Sequence, residues 1–164
     1  ITGSCSKRTN EQVDYYKDKA PSRYIEESRS LEEPEKYASE LADWVMSNIE
    51  YDYYPLLYAT KPAEELKKSK ERYGDSNVAE AIEKVIALVV KTIAENGVKT
   101  FIIGGGETSG VVATTLNINA YLIGAQIDPG VSWLQELDGY MQFSYKSGNF
   151  GEIDFFVKAQ SMQV

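Results

Sequence analysis

Apolar residues recur at helical spacing in two long stretches. Tyr37, Leu41, Trp44, Val45 and Ile49 share one face of a helix predicted from Leu31 to about Glu50. Pro34 falls near its first turn, where a missing N–H costs nothing. Ile82, Val85, Ile86, Val89, Val90 and Ile93 make a broader stripe on a helix over Val78–Glu95. Asn77 and Glu80 have capping-box spacing at its start, and Gly97 sits at its C-cap. Shorter helices are expected over Thr9–Lys19, from Lys61-Pro62 onward, over Thr108–Leu116 and from Asp154 onward.

Between these stretches lie short apolar or alternating runs of the kind that form strands. They are the tail Ile1–Gly3, an extended piece at Tyr24–Glu27, Pro55–Thr60, Val98–Ile103, Ala120–Ile123 and Tyr140–Tyr145. Strands alternating with helices predict an α/β fold, with a mainly parallel sheet flanked by helices in a single three-layer domain covering residues 1–164.

Composition narrows the chemistry. The 164 residues carry 25 acidic and 17 basic side chains, a formal net charge of −8. That balance repels nucleic acid phosphates, so no nucleic acid partner is expected. There is no histidine and a single cysteine, Cys5, which excludes within this chain a Ser-His-Asp triad, a Cys-His dyad and catalytic zinc. The longest apolar run, Val85–Val90, is far short of the ~20 residues that span a bilayer. No signal-peptide pattern stands at the amino end. A cytoplasmic protein without a membrane partner is therefore expected. Charge is uneven: residues 101–164 hold eight of the 42 charged side chains and nine of the twelve glycines. Loops and tight turns should concentrate there.

The chemistry concentrates at Phe101-Ile-Ile-Gly-Gly-Gly-Glu-Thr-Ser-Gly-Val-Val112, an apolar strand that stops at three glycines and restarts as a helix. Glycines admit close backbone approach, and a helix start offers unpaired N–H groups and a positive dipole end, which together suit phosphate. Gly106 is expected beside the phosphates. A Walker A loop needs Lys-Ser/Thr where Val111-Val112 stands, so the loop is not of that type. A dinucleotide fingerprint would need a third glycine or alanine where Ser109 stands, although Asp128 is placed to imitate the ribose-binding acid. Lys146-Ser-Gly-Asn-Phe-Gly151 supplies a second glycine turn and one positive charge, and Thr2-Gly-Ser-Cys-Ser6 a third cluster leading into a helix. Either could equally be a plain turn or a helix cap. Glu107 either complements the helix dipole or assists metal or nucleotide binding.

In their order along the chain, these clusters resemble the nucleotide-binding domain of the four-carbon acid sugar kinases. The resemblance rests on Gly3-Ser-Cys-Ser6, Pro55-Leu-Leu-Tyr-Ala-Thr60, Gly105-Gly-Glu-Thr-Ser-Gly110, Ile127-Asp-Pro-Gly-Val-Ser-Trp133, Lys146–Gly151 and Asp154-Phe-Phe156. Ser132 departs from the family pattern, which commonly has proline there. The resemblance implies ATP and Mg2+ as cofactors. It implies nucleotide contacts from Ser4, Ser6, Gly105, Gly106, Glu107, Thr108, Ser109, Ser147, Gly148 and Asn149, and no metal ligand from the protein. It also implies that a four-carbon sugar acid (threonate, erythronate or 3-oxo-tetronate) is held mainly by an amino-terminal domain outside this chain, which would leave the isolated domain inactive. A homo-oligomer is compatible with the sequence. Two other readings remain open from the residues: a dinucleotide-binding domain of an oxidoreductase, and a non-catalytic interaction module using the Tyr51-Asp-Tyr-Tyr54 cluster.

Overall fold

A computed structural model describes residues 1–137 and 139–162. Thirteen elements follow one another. They are α1 (Lys7–Lys17), β1 (Ser22–Tyr24), α2 (Glu27–Glu32), α3 (Pro34–Ser47), β2 (Leu56–Tyr58), α4 (Ala63–Tyr73) and α5 (Asp75–Glu95). Then come β3 (Thr100–Gly104), α6 (Gly106–Thr115), β4 (Tyr121–Asp128), β5 (Val131–Glu136), β6 (Gln142–Lys146) and α7 (Phe155–Ser161). No helix among the described residues is long and apolar enough to cross a membrane.

The strands form a parallel pair, β1-β2, and a mixed sheet in the order β3-β6-β5-β4. Thr2 joins them, bridging in parallel to Tyr58 on one side and Gly104 on the other. Among the described strand pairs, β1-β2 and β3-β6 are parallel, whereas β6-β5 and β5-β4 are antiparallel. The expectation of a mainly parallel sheet is thereby corrected to a mixed one. The cause is a hairpin between β4 and β5. Pro129 and Gly130, with φ +79° at the glycine, turn the chain back at Asp128. The strand expected to stop near Ile123 instead continues to Asp128 through register shifts around Gly124, where a Cβ would lie 3.2 Å from the Trp133 carbonyl oxygen.

Two helix expectations change as well. The helix predicted from Leu31 is two helices broken at Glu33 (φ −143°, ψ 52°), because the residue before Pro34 is pushed out of helical backbone. The long helix begins at Asp75 behind Gly74 (φ +83°), so Asn77 lies inside it and no capping box forms.

Strand side chains feed two cores. Leu57, Phe101, Ile103 and Phe143 join Tyr37, Leu41, Val85 and Val89 in one cluster. Leu56, Ile102 and Trp133 join Val13, Tyr16, Phe155 and Phe156 in the other. Neighbouring residues such as Phe101 and Ile102 point to opposite faces, as a strand buried on both sides requires. Tyr53 and Tyr54 pack against the second cluster, with the Tyr16 hydroxyl donating to the Tyr54 carbonyl at 2.7 Å. Tyr51 alone of that trio is well exposed, so the tyrosines do not make an open aromatic surface.

Candidate functional site

Parallel pairing decides where the loops emerge. Gly104, the last residue of β3, stands opposite Lys146, the last residue of β6, and Thr2 lies beside Gly104 on the other side. All three segments therefore release their following loops at one edge of the sheet, beyond the carboxyl ends of β3 and β6. In open α/β sheets this is where ligands sit.

The loops touch. A Cβ on Gly3 would lie 2.6 Å from Thr108 Oγ1, and one on Gly148 would lie 2.6 Å from Ser4 Oγ. Gly105 has φ +116°, and a Cβ there would stand 3.3 Å from both the Ser4 nitrogen and Ser4 Cβ. Glycine is thus required at 105 by backbone conformation and by space together. The expectation for Gly106 is refined accordingly. Its φ is not positive and a Cβ would meet nothing within 4 Å, so it is the open position facing outward and Gly105 is the constrained one.

Helix α6 starts at Gly106, two residues earlier than the spacing suggested, so the amides of Gly106, Glu107 and Thr108 have no intrahelical acceptor. The Ser109 amide and hydroxyl both donate to the Gly105 carbonyl, at 2.9 and 2.7 Å, which closes the first turn. Across the cleft, the Phe150 amide closes a turn onto the Ser147 carbonyl at 3.1 Å. The amides of Gly148 and Asn149 have no acceptor among the described residues. Ser147 and Asn149 are exposed, and Gly148 half-buried. The arrangement offers N–H groups from two sides to an anion.

Ser6 caps α1, its Oγ accepting the Thr9 amide at 3.2 Å and donating to the Gly148 carbonyl at 2.5 Å. Ser4 Oγ accepts the Ser6 amide at 3.3 Å. Of the two serines, Ser6 is thus committed to holding loops together, whereas Ser4 stands between the Gly105 and Gly148 backbones. Lys146, the positive charge that the sequence places at the second glycine turn, is 1% exposed. Burial and the charge of Arg8 lower its pKa to about 8.

Carboxylates divide sharply. Asp128 is 2% exposed, accepts the Glu152 amide at 2.9 Å and pairs with Lys158. It ties the β4 end to α7 and to the residue that follows the second glycine turn. Glu107 is exposed and lines a cleft with Glu83, whose pKa is raised by desolvation and then by the charge of Glu107. A cavity of about 110 Å3 adjoins the loops, bounded by Gly3, Cys5, Thr108, Lys61 and Ile82. An apolar cavity of about 410 Å3 lies toward the amino ends of β2 and β3, walled by Val45, Ile49, Leu57, Ile93 and Val98. It holds none of the residues expected to bind nucleotide.

Sequence reasoning missed Thr9 and Gln12, both fully buried. Thr9 Oγ1 donates to the Gly148 carbonyl at 2.8 Å, and Gln12 Nε2 donates to the Phe150 and Glu152 carbonyls at 3.0 and 2.8 Å. Their i,i+3 spacing, in line with buried Val13 and Tyr16, was the available signal.

A helix start, a serine loop and a glycine turn thus meet beyond parallel strand ends in this α/β domain. The chain belongs to the family described as the nucleotide-binding C-terminal domain, whose model matches residues 1–156. It is 44% identical over 163 residues to the 3-oxo-tetronate kinase of Pectobacterium atrosepticum, covering 98% of this chain and 38% of that protein. Its identity to the 3-oxo-tetronate kinase of Salmonella typhimurium is 40%, with 98% and 38% covered. A crystal structure of a DUF1537-family protein from Haemophilus influenzae superposes with a TM-score of 0.97 at 38% identity, over 99% of this chain and 39% of that one. The chain thus spans about two fifths of the length of the relatives it matches.

Proposed function

We propose that this domain binds Mg-ATP for a kinase that phosphorylates a four-carbon acid sugar, with 3-oxo-tetronate, the substrate in its relatives' names, as the first choice. The observation that carries the reading is the meeting of Ser4–Ser6, Gly105–Ser109 and Ser147–Asn149 beyond the carboxyl ends of β3 and β6, with the first amides of α6 free of intrahelical acceptors. Phosphoryl transfer asks chiefly for positioning and charge neutralisation, which suits a chain without histidine. Mg2+ would ride mainly on the phosphates, as it commonly does, with Glu107 the carboxylate at the α6 start. The sugar acid would be bound mainly by the part of the enzyme that the relatives have and this chain does not match. The two cores on opposite strand faces support a three-layer domain. The dinucleotide alternative loses its ribose-binding acid, since Asp128 is occupied by Lys158 and the Glu152 amide.

Calorimetric titration tests this. The chain should bind Mg-ATP weakly, NAD should displace it poorly, and threonate, erythronate and 3-oxo-tetronate should not be turned over by this chain alone. Gly106→Val should keep the circular dichroism of the parent, because the new side chain meets only open space. It should nevertheless bind Mg-ATP at least tenfold more weakly, roughly 1.4 kcal/mol. A folded Gly106→Val with parental affinity would remove the phosphate from this loop.

A further inference from the structure

The Gly148 carbonyl is approached by three donors: Ser6 Oγ at 2.5 Å, Thr9 Oγ1 at 2.8 Å and Lys146 Nζ at 3.0 Å. The Lys146 ammonium also reaches Thr9 Oγ1 at 3.0 Å and the Ser147 carbonyl at 3.1 Å, so its three hydrogens have three acceptors in the protein. Its stem passes under Gly104, 3.8 Å from where a Cβ would stand. A fully buried ammonium costs stability unless acceptors compensate its charge, and here those acceptors are carbonyls of the turn and the Thr9 hydroxyl.

We infer that Lys146, acting through Thr9 and Ser6, is the positioning residue that sets the polarity of the Ser147–Asn149 turn. It draws the Ser147 and Gly148 carbonyls inward, so that the turn presents N–H groups rather than carbonyls to the cleft. Without that cation, the Ser147 carbonyl would be held only by the Phe150 amide and the Gly148 carbonyl only by the Ser6 and Thr9 hydroxyls, and the negative ends of both dipoles would lie uncompensated near a bound phosphate. The lysine itself does not touch ligand. It acts as the counter-charge behind the turn, much as a helix dipole acts behind its first amides. The inference rests on the nucleotide reading above.

Arg8 of α1 is the charged group known to act on Lys146, and its other contacts, Thr9, Ser147, Gly148 and Gly104, are uncharged. Near neutral pH the amine is mostly protonated, and it loses its proton as pH rises through about 8. Affinity and stability then move oppositely. The folded pKa lies below the unfolded 10.5, so between about 8 and 10.5 the unfolded chain binds more protons and deprotonation favours the fold. Affinity should fall over that same window, as the turn loses its internal cation.

The test uses the whole chain, with Mg-ATP and inorganic tripolyphosphate as probes at pH 7 and pH 9. The parent should bind both more weakly at pH 9. Lys146→Met should bind both at least tenfold more weakly than the parent at pH 7 and show no further loss at pH 9. Thr9→Val should lose affinity, and Thr9→Ser, which keeps the hydroxyl, should recover most of it. These threonine variants decide the matter should Lys146→Met fail to fold. A folded Lys146→Met with parental affinity, or one that keeps the parental pH slope, would overturn the inference, as would equal binding by the two threonine variants. A parent that binds neither probe would instead remove the nucleotide reading itself.

Discussion

Replacing Gly105 with valine is expected to weaken Mg-ATP binding about a hundredfold, ~2.8 kcal/mol, and to destabilise the domain as well. Two independent costs meet at this position. A φ of +116° lies in the region β-branched residues avoid, worth about 1–3 kcal/mol of strain. In addition, the new Cβ would stand 3.2–3.3 Å from Thr108 Oγ1, Ser4 Cβ and the Ser4 nitrogen. Relief requires the serine loop to withdraw from the start of α6, and that separates two of the three walls of the cleft. The contrast with Gly106→Val is diagnostic, since that change crowds the ligand and leaves the protein unstrained. Urea unfolding and calorimetry on both variants separate the effects. Equal stability of the two would show that Gly105 is not held in its left-handed conformation.

Phe143→Ala should be the most damaging core change, costing about 3–5 kcal/mol in urea unfolding. The ring, on the second residue of β6, is fully buried, stacked on Phe101 at 5.6 Å and meeting Tyr121 at 5.7 Å and Tyr145 at 5.5 Å. Its three ring partners are held on β3, β4 and β6, and Leu134 stands opposite it on β5, so little can move to fill the space. Domains of this size hold only about 5–15 kcal/mol in total. Three residues further on, the same strand delivers Lys146 to the site, so a loosened β6 should also blur the Ser147–Asn149 turn. Phe143→Leu should cost clearly less. A loss below about 1 kcal/mol for Phe143→Ala would mean that the aromatic cluster is not a central support.

Much of this architecture was legible because burial on one side leaves a period in the sequence. The α5 stripe from Ile82 to Ile93 sits against the same core as Phe101 and Ile103, and both the stripe and the β3 run were visible as apolar spacing. The β4-β5 hairpin was not. Residues 122–126 of β4 are exposed, so its inner residues carry no apolar alternation, and Pro129-Gly130 reads as any surface turn until its strands are seen. Three adjacent glycines announced a loop, yet sequence alone does not say which of them adopts positive φ. That depends on where Ser4 lies, a hundred residues away. Thr9, Gln12 and Lys146 were obscured for a common reason. Polar residues on helices and strand ends usually face water, and these three turn inward to hold backbone carbonyls of the Ser147–Glu152 segment.

The most direct test of the central claim is a titration of the isotope-labelled chain with Mg-ATP, followed amide by amide by NMR. The largest shifts are expected at Ser4, at Gly106–Thr108 and at Gly148–Asn149, with Val45, Ile49 and Val98 around the apolar cavity unmoved. Shifts concentrated around that cavity, with the three loops unchanged, would contradict that claim.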